Sequence, residues 1–139
     1  MAKYPIKKIR TLALVGQAGS GKTALADALL VRAGALGPEG GSEHANSTCD
    51  YLPIEKRLHH SLKLAVASFE AQDTRIHLLD TPGYPDFLGH ALPALAAVET
   101  AAIVINAQNG IELMTTRMMH WAARQGLDRI IIVNKIDAE

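Results

Sequence analysis

The sequence lacks several features that mark common functional classes. It has no excess of either charge, because 14 Lys and Arg residues balance 14 Asp and Glu residues, whereas a DNA-binding domain normally carries surplus basic residues. A single cysteine, Cys49, excludes an internal disulfide and a cysteine-rich zinc site. No apolar run is long enough to cross a membrane. We therefore expect a cytoplasmic, monomeric protein that binds neither DNA nor membranes.

Aromatic residues are also scarce, at 4% of the chain, although apolar residues together make up 48%. The core must therefore be built mainly from Ala, Leu, Ile and Val. A chain of 139 residues suits one domain. We assign residues 1–139 to that single domain.

Short apolar runs alternate with helical patterns along the chain. Buried strands are predicted for 11–16, 101–107 and 129–133, and helices for 21–33, 86–99 and 111–125, with Pro93 expected to kink or divide the second helix. The runs at 62–70 and 75–79 are spaced as an antiparallel hairpin. This order predicts an α/β domain with a mainly parallel sheet and one antiparallel strand.

The region from about Leu36 to Ser61 has no clean periodicity and is rich in Gly, Ser, Glu and His. A structureless segment of this length is uncommon inside a compact domain. We interpret it as a functional mobile loop or a disordered one.

A phosphate-binding loop is the strongest signal in the sequence. The match to G-x-x-x-x-G-K-[ST] is complete and lies between a predicted strand and a predicted helix. Glycines let successive backbone N–H groups face one phosphate. In this motif the lysine reaches the β- and γ-phosphates and the threonine hydroxyl binds Mg²⁺. The residues are Gly16, Gln17, Ala18, Gly19, Ser20, Gly21, Lys22 and Thr23.

A second motif, Asp80, Thr81, Pro82 and Gly83, follows the hairpin strand. In isolation it would be read as a turn. After a buried strand and a phosphate loop, Asp80 can hold Mg²⁺ through water. Gly83 can donate its N–H to a γ-phosphate and so sense hydrolysis.

A third motif, Asn134, Lys135, Ile136 and Asp137, follows the last predicted strand. At this place the Asp137 carboxylate can accept hydrogen bonds from the N1–H and 2-amino group of guanine, a donor pair that adenine lacks. The stem of Lys135 can lie along the base. The motif therefore disfavours an ATPase.

The order of these three motifs resembles that of the translational GTPases. The stretch from Asp80 to Phe87, DTPGYPDF, resembles the D-T-P-G-H-x-D-F of elongation factor G. Residues 29–36 and 50–62 are similar to the region before and within that family's first switch. The resemblance runs from about Arg10 to Asp137. It implies a P-loop GTPase domain that uses GTP or GDP and Mg²⁺ and acts on the ribosome.

The chain departs from the family pattern at several positions. Gly19 stands where the family often has Asp, which resembles the divergent second type of elongation factor G. Tyr84 aligns with the family's catalytic histidine. Either His60 or Ser61 takes the place of the switch threonine that binds Mg²⁺. The resemblance also places a final guanine loop, strand and helix, and later domains, after Glu139.

These observations predict a GTP-hydrolysing domain of an elongation factor G-like protein, with Lys22 and Tyr84 as the catalytic candidates. Hydrolysis is expected to be slow or ribosome-dependent, and residues 1–139 alone are expected to be inactive. Because Tyr84 and the altered switch depart from the family, the alternative is a GTP-binding regulatory or ribosome-binding module with little or no hydrolysis.

Overall fold

The computed structural model describes residues 4–37, 47–58 and 61–137. Five strands form one sheet in the order β2-β3-β1-β4-β5, in which β2 pairs antiparallel with β3 and the other pairs are parallel. The mainly parallel α/β prediction is therefore confirmed. The elements are β1 (Ile9–Val15), α1 (Lys22–Arg32), α2 (Pro53–Leu58), β2 (Ala65–Ala71), β3 (Thr74–Asp80), α3 (Leu88–Ala96), β4 (Thr100–Asn106), α4 (Leu113–Arg124) and β5 (Asp128–Asn134).

The central strands alternate their side chains between two apolar layers. Ala13 and Val15 of β1 pack against α3 and α4, where Leu95 and Met118 are buried. Leu14, between them, points to the other face and packs with α1. Because successive side chains of a strand point in opposite directions, one short strand supplies both cores. The result is a three-layer arrangement, with Met114 and Met118 of α4 in the core.

Strand β5 does not belong to the buried type that its apolar run indicated. Ile130, Ile131 and Val133 are each at least half exposed. The prediction of burial was wrong because β5 is the last strand of the described sheet, and it pairs with β4 alone. An apolar run reports the composition of a strand, whereas its burial depends on the neighbouring elements.

Two other predictions need correction. The helix expected over 86–99 is shorter, since a 3₁₀ turn at Pro85–Phe87 precedes α3, and α3 continues through Pro93 without being divided. The region 36–61 contains the short helix α2, which begins with Pro53, a residue suited to a first helical turn. Residues 38–46 and 59–60 of that region, including His60, lie outside the described residues. Among the described helices, none is long and apolar enough to cross a membrane.

The hairpin between β2 and β3 turns through two residues that both have positive φ, Gln72 at 49° and Asp73 at 59°. Positive φ at both positions is the signature of a type I′ turn, which favours Asn followed by Gly. The double substitution Gln72→Asn with Asp73→Gly should therefore increase the free energy of unfolding by about 1 kcal/mol.

Urea denaturation measures this change. Gln72→Asn alone is the control, because it retains the ion pair between Lys8 and Asp73, an exposed contact of small energetic value. A loss of stability in the double variant would contradict the turn assignment.

Candidate functional site

The phosphate loop connects the end of β1 to the start of α1 at the carboxyl edge of the sheet. Gly16 has a φ of 138°, and a Cβ added there would collide with the backbone carbonyl of Val104 in the neighbouring strand. Only glycine therefore fits where the chain leaves the sheet. The loop curls back over the N-terminus of α1, which points its free N–H groups into the concavity.

Lys22 lies inside this loop and is 5% exposed. Its Nζ donates to the carbonyl oxygens of Gly16 at 3.1 Å and Gln17 at 2.8 Å. Burial lowers the pKa of Lys22 to about 8, while the nearby Asp80 carboxylate opposes this decrease. The Lys22 ammonium group is therefore shielded from water and bonded to neutral carbonyl oxygens. A phosphate anion would bind the ammonium group more strongly than these neutral oxygens do.

The segment after β3 is fastened directly to the phosphate loop. The N–H of Ala18 donates to the carbonyl oxygen of Gly83 at 3.1 Å. A Cβ on Gly83 would lie 2.5 Å from both the Ala18 nitrogen and the Lys22 Nζ, so this position admits no side chain. The Thr81 hydroxyl donates to the Leu14 carbonyl at 2.7 Å. Thr81 therefore ties β3 to β1, while Gly83 contacts the phosphate loop.

A chain of hydroxyl and carboxyl groups crosses the mouth of the loop. Thr23 Oγ1 donates to Asp80 Oδ2 at 2.6 Å and lies 3.0 Å from Ser61 Oγ. The Ser61 hydroxyl in turn donates to Asp50 Oδ1 at 2.7 Å. The two residues predicted to bind a metal, Thr23 and Asp80, are therefore in direct contact. Ser61 joins them from residues 50–62, the segment that resembles the family's first switch and is called the switch region below.

Asp80 is a buried carboxylate that could hold a cation. It is 1% exposed, and burial raises the pKa of its carboxyl group to about 7, with the Thr23 hydrogen bond and Lys22 opposing this change. Its second oxygen, Oδ1, has no hydrogen-bond partner among the described residues. A buried carboxylate oxygen without a partner is costly, and a divalent cation or its bound water would satisfy it.

The third motif meets the phosphate loop at the end of β5. Asn134 Nδ2 donates to the Ser20 carbonyl oxygen at 3.0 Å, so its amide joins two motifs that are more than a hundred residues apart. Lys135 has a φ of 58°, which turns the chain sharply after the strand. Ile136 and Asp137 are exposed beyond this turn. Asp137 therefore has its carboxylate available to a ligand at the surface.

A cavity of about 210 Å³ lies between the phosphate loop, the segment after β3 and residues around Ser61. Its volume is below the ~300–1,000 Å³ of typical small-molecule sites, which suits the phosphate end of a nucleotide with the base outside. Tyr84 lines the cavity together with Gly19, Lys22, Thr23 and Gly83. Tyr84 therefore lies at the cavity beside the phosphate loop, and its catalytic role stays a prediction.

Two side-chain contacts near the site had no signal in the motifs. The Gln17 side chain accepts a hydrogen bond from the N–H of Met114 at 3.1 Å, which ties the phosphate loop to the N-terminus of α4. Asp27, 1% exposed, accepts from the N–H of Thr48 at 3.3 Å, and burial raises the pKa of its carboxyl group. An acidic residue on the apolar face of α1, one turn after Thr23, is the signal that could have identified Asp27.

A phosphate loop between β1 and α1, fastened to an acidic strand end, defines a P-loop nucleotide-binding domain. The residues at 134–137 match the motif predicted to read guanine, which would place the domain among the GTPases of that class. Residues 7–139 match the elongation factor Tu GTP binding domain. The chain therefore belongs to this family of translational GTPase domains and is a GTP-binding domain.

Individual relatives agree with this assignment. Over 93% of the present chain, the sequence is 36% identical to an elongation factor G-like protein of Mycobacterium tuberculosis. Over 98% of the present chain, it is 37% identical to peptide chain release factor 3 of Nitrosomonas europaea. It covers 18% and 26% of those proteins, respectively. A crystal structure of a protein from Thermus thermophilus superposes with a TM-score of 0.90 at 41% identity, covering 95% of this chain and 20% of that one.

The raised pKa of Asp80 predicts a pH-dependent stability in the absence of nucleotide and Mg²⁺. A pKa near 7 in the folded state means that the contribution of this group is fully present below the unfolded pKa near 4 and is lost as the pH rises to about 7. Asp80→Asn cannot titrate. It should therefore be more stable than the wild type at pH 8, by at most about 4 kcal/mol, and this advantage should disappear at pH 4.

Urea denaturation in EDTA at several pH values measures this difference. Asp128→Asn, at an exposed aspartate of β5, controls for the loss of one charge. Parallel stability profiles for Asp80→Asn and the wild type would show that Asp80 does not carry the buried charge.

Proposed function

We propose that this chain is the nucleotide-binding domain of an elongation factor G-like GTPase that hydrolyses GTP on the ribosome in the cytoplasm. The chain spans about a fifth to a quarter of the length of the relatives described above. Ribosome binding and stimulated turnover would therefore be properties of the full-length protein, and we propose that the domain itself is monomeric.

One observation carries this proposal: two motifs distant in sequence line one small cavity, and the third motif is bonded to the phosphate loop. Lys22 and Thr23 line the cavity, Gly83 lies against Lys22, and Asn134 donates to the Ser20 carbonyl oxygen of the phosphate loop. This arrangement suits a nucleotide whose phosphates contact Lys22 and the loop N–H groups. Gly83, beside Lys22, is placed to contact the γ-phosphate and to lose that contact after hydrolysis.

The hydroxyl and carboxyl oxygens at the mouth of the cavity fit Mg²⁺. Hard oxygen donors are its preferred ligands, and protein sites usually add one or two carboxylates to the substrate phosphates. Within the described part of the chain, no group of three or more His, Cys, Asp or Glu side chains could hold a metal ion by itself. Thr23 and Ser61 would bind the ion directly, and Asp80 would hold its bound water. When bound, Mg²⁺ neutralises charge on the β- and γ-phosphates.

Guanine selection is assigned to the turn after β5. Asp137 would accept hydrogen bonds from the base, while Lys135 would cover one face of it. Asn134 supports this turn by its bond to Ser20, so its role is to join the base site to the phosphate site. Ile136 is 80% exposed and would serve only as the spacer between Lys135 and Asp137.

Asp137→Asn should exchange the base preference of the full-length protein. An amide can donate to the O2 of xanthine where the carboxylate accepted from the guanine 2-amino group. GTP affinity should fall by about a hundredfold, the equivalent of losing hydrogen bonds to a charged group, and XTP affinity should rise.

Fluorescent nucleotide titration with GTP, XTP and ATP tests this exchange. Asp128→Asn serves as the matched control, because it removes an exposed carboxylate at the other end of β5. Unchanged GTP and XTP affinities in Asp137→Asn would remove Asp137 from the base site.

In GTP hydrolysis, the proposed role of Tyr84 is to orient the attacking water. A phenol can donate one hydrogen bond and accept others, so it can orient a water toward the γ-phosphorus, but it stays neutral at pH 7. Catalysis would then come from positioning by Tyr84 and charge neutralisation by Lys22 and Mg²⁺. The neutral phenol also favours one alternative function, a GTP-binding regulatory module with little hydrolysis.

Substitutions at Tyr84 separate the two functions. Tyr84→Phe should lower ribosome-stimulated turnover of the full-length protein by about a hundredfold, because one positioning contact is lost. Tyr84→His should raise turnover, because imidazole can also carry positive charge. Phosphate release is measured with GTP affinity as the control, which both variants should retain. Turnover unaffected by Tyr84→Phe would make Tyr84 a packing residue, and negligible turnover in the wild type would establish the regulatory module.

A further inference from the structure

Glu55 of α2 is a carboxylate with 0% exposure, and it is the one fully buried acid of the switch region within the described residues. Its three hydrogen bonds all come from backbone N–H groups. Oε2 accepts from Leu52 at 2.9 Å, and Oε1 accepts from Leu62 at 2.8 Å and from Lys63 at 3.0 Å. Burying a charge is expensive unless it is well bonded, so this carboxylate is expected to fix the backbone that it contacts.

Two of the three N–H groups that Glu55 binds belong to the residues directly after Ser61. The first bond to Leu52 stabilises the N-terminus of α2, in the manner of a helix-capping side chain. The other two bonds, to Leu62 and Lys63, join α2 to the approach to β2. The position of Ser61 therefore depends on Glu55, and in this position the Ser61 hydroxyl lies beside Thr23.

The two hydroxyl oxygens are arranged as ligands of one cation. When both carboxylates are ionised, Thr23 donates its hydrogen to Asp80 and Ser61 donates its hydrogen to Asp50. The oxygens of Thr23 and Ser61 then face each other through lone pairs at 3.0 Å. Adjacent ligands of an octahedral Mg²⁺, each about 2.1 Å from the ion, are also about 3.0 Å apart. Two facing lone pairs repel unless a cation lies between them.

We infer that Glu55 is a positioning residue: its carboxylate fixes the backbone beside Ser61 so that the Ser61 and Thr23 oxygens can share one Mg²⁺. This inference rests on the proposed Mg²⁺·GTP function. Glu55 does not touch the ion or the nucleotide. It acts through Ser61, and its effect is confined to states in which the switch region contributes a ligand.

The test compares a nonhydrolysable GTP analogue with GDP in the full-length protein, each titrated over a range of Mg²⁺ concentrations. Glu55→Gln should weaken the Mg²⁺-dependent part of analogue binding by about tenfold, the usual effect of losing an outer partner of a metal ligand, and Ser61→Ala, which removes the ligand itself, should weaken it by at least as much. GDP affinity and Mg²⁺-free affinity should not change. Glu70→Gln, an exposed glutamate of β2, is the matched control.

A double variant tests whether Glu55 acts by positioning Ser61. If Glu55 acts through the Ser61 hydroxyl, the double variant Ser61→Ala with Glu55→Gln should bind no more weakly than Ser61→Ala alone, whereas independent effects would multiply. Should Glu55→Gln lack a cooperative thermal transition, Glu55→Asp retains the charge with a shorter reach and should show the same selective loss.

Three results would overturn the inference. Equal weakening of GDP and analogue binding by Glu55→Gln would show a structural role alone. Multiplying effects in the double variant would show that Glu55 does not act through Ser61. A silent Ser61→Ala variant would remove the hydroxyl from the ion. A wild type that binds the analogue without any Mg²⁺ dependence would instead contradict the proposed function itself.

Discussion

The site depends on the parallel register of β1 between β3 and β4. In this register Leu14 lies opposite Asp80 on one side and opposite Ala102 on the other. Because parallel strands end at the same edge, the phosphate loop after β1 emerges beside the acidic end of β3. The Thr81 hydroxyl bond to the Leu14 carbonyl fixes this register at its last residue. A shift of one residue would separate Thr23 from Asp80.

This arrangement buries charged groups, and the hydrogen-bond partners of these groups differ. Lys22 is bonded to backbone carbonyls and its pKa is lowered to about 8. Asp80 retains one unsatisfied oxygen and a pKa raised to about 7. Both groups are thus poised for a partner of opposite charge. Glu55, in contrast, is fully bonded by backbone N–H groups and is suited to hold structure.

The elements with strong local signals were predicted well. The strands at the centre of the sheet and the helices after Gly21 and Ile111 appear close to their expected bounds, because apolar spacing and glycine stops are local properties. The exposure of β5 could not be predicted from its apolar run, since burial depends on what packs beside it. The helix α2 was missed because Pro53 and Glu55 stabilise it through a turn and a buried side-chain cap.

The sequence by itself determined which chemistry is predicted for the site. The patterns of a phosphate loop, an acidic strand end and a proposed base-reading turn are recognisable in Gly16–Thr23, Asp80–Gly83 and Asn134–Asp137, because each proposed function requires particular residue types at fixed short spacing. The tertiary structure decided which groups meet. It brought Ser61 to Thr23 and Asn134 to Ser20, and it buried Glu55 beneath the switch region. These contacts join residues far apart in the chain, and only the packed sheet and helices bring such residues within bonding distance.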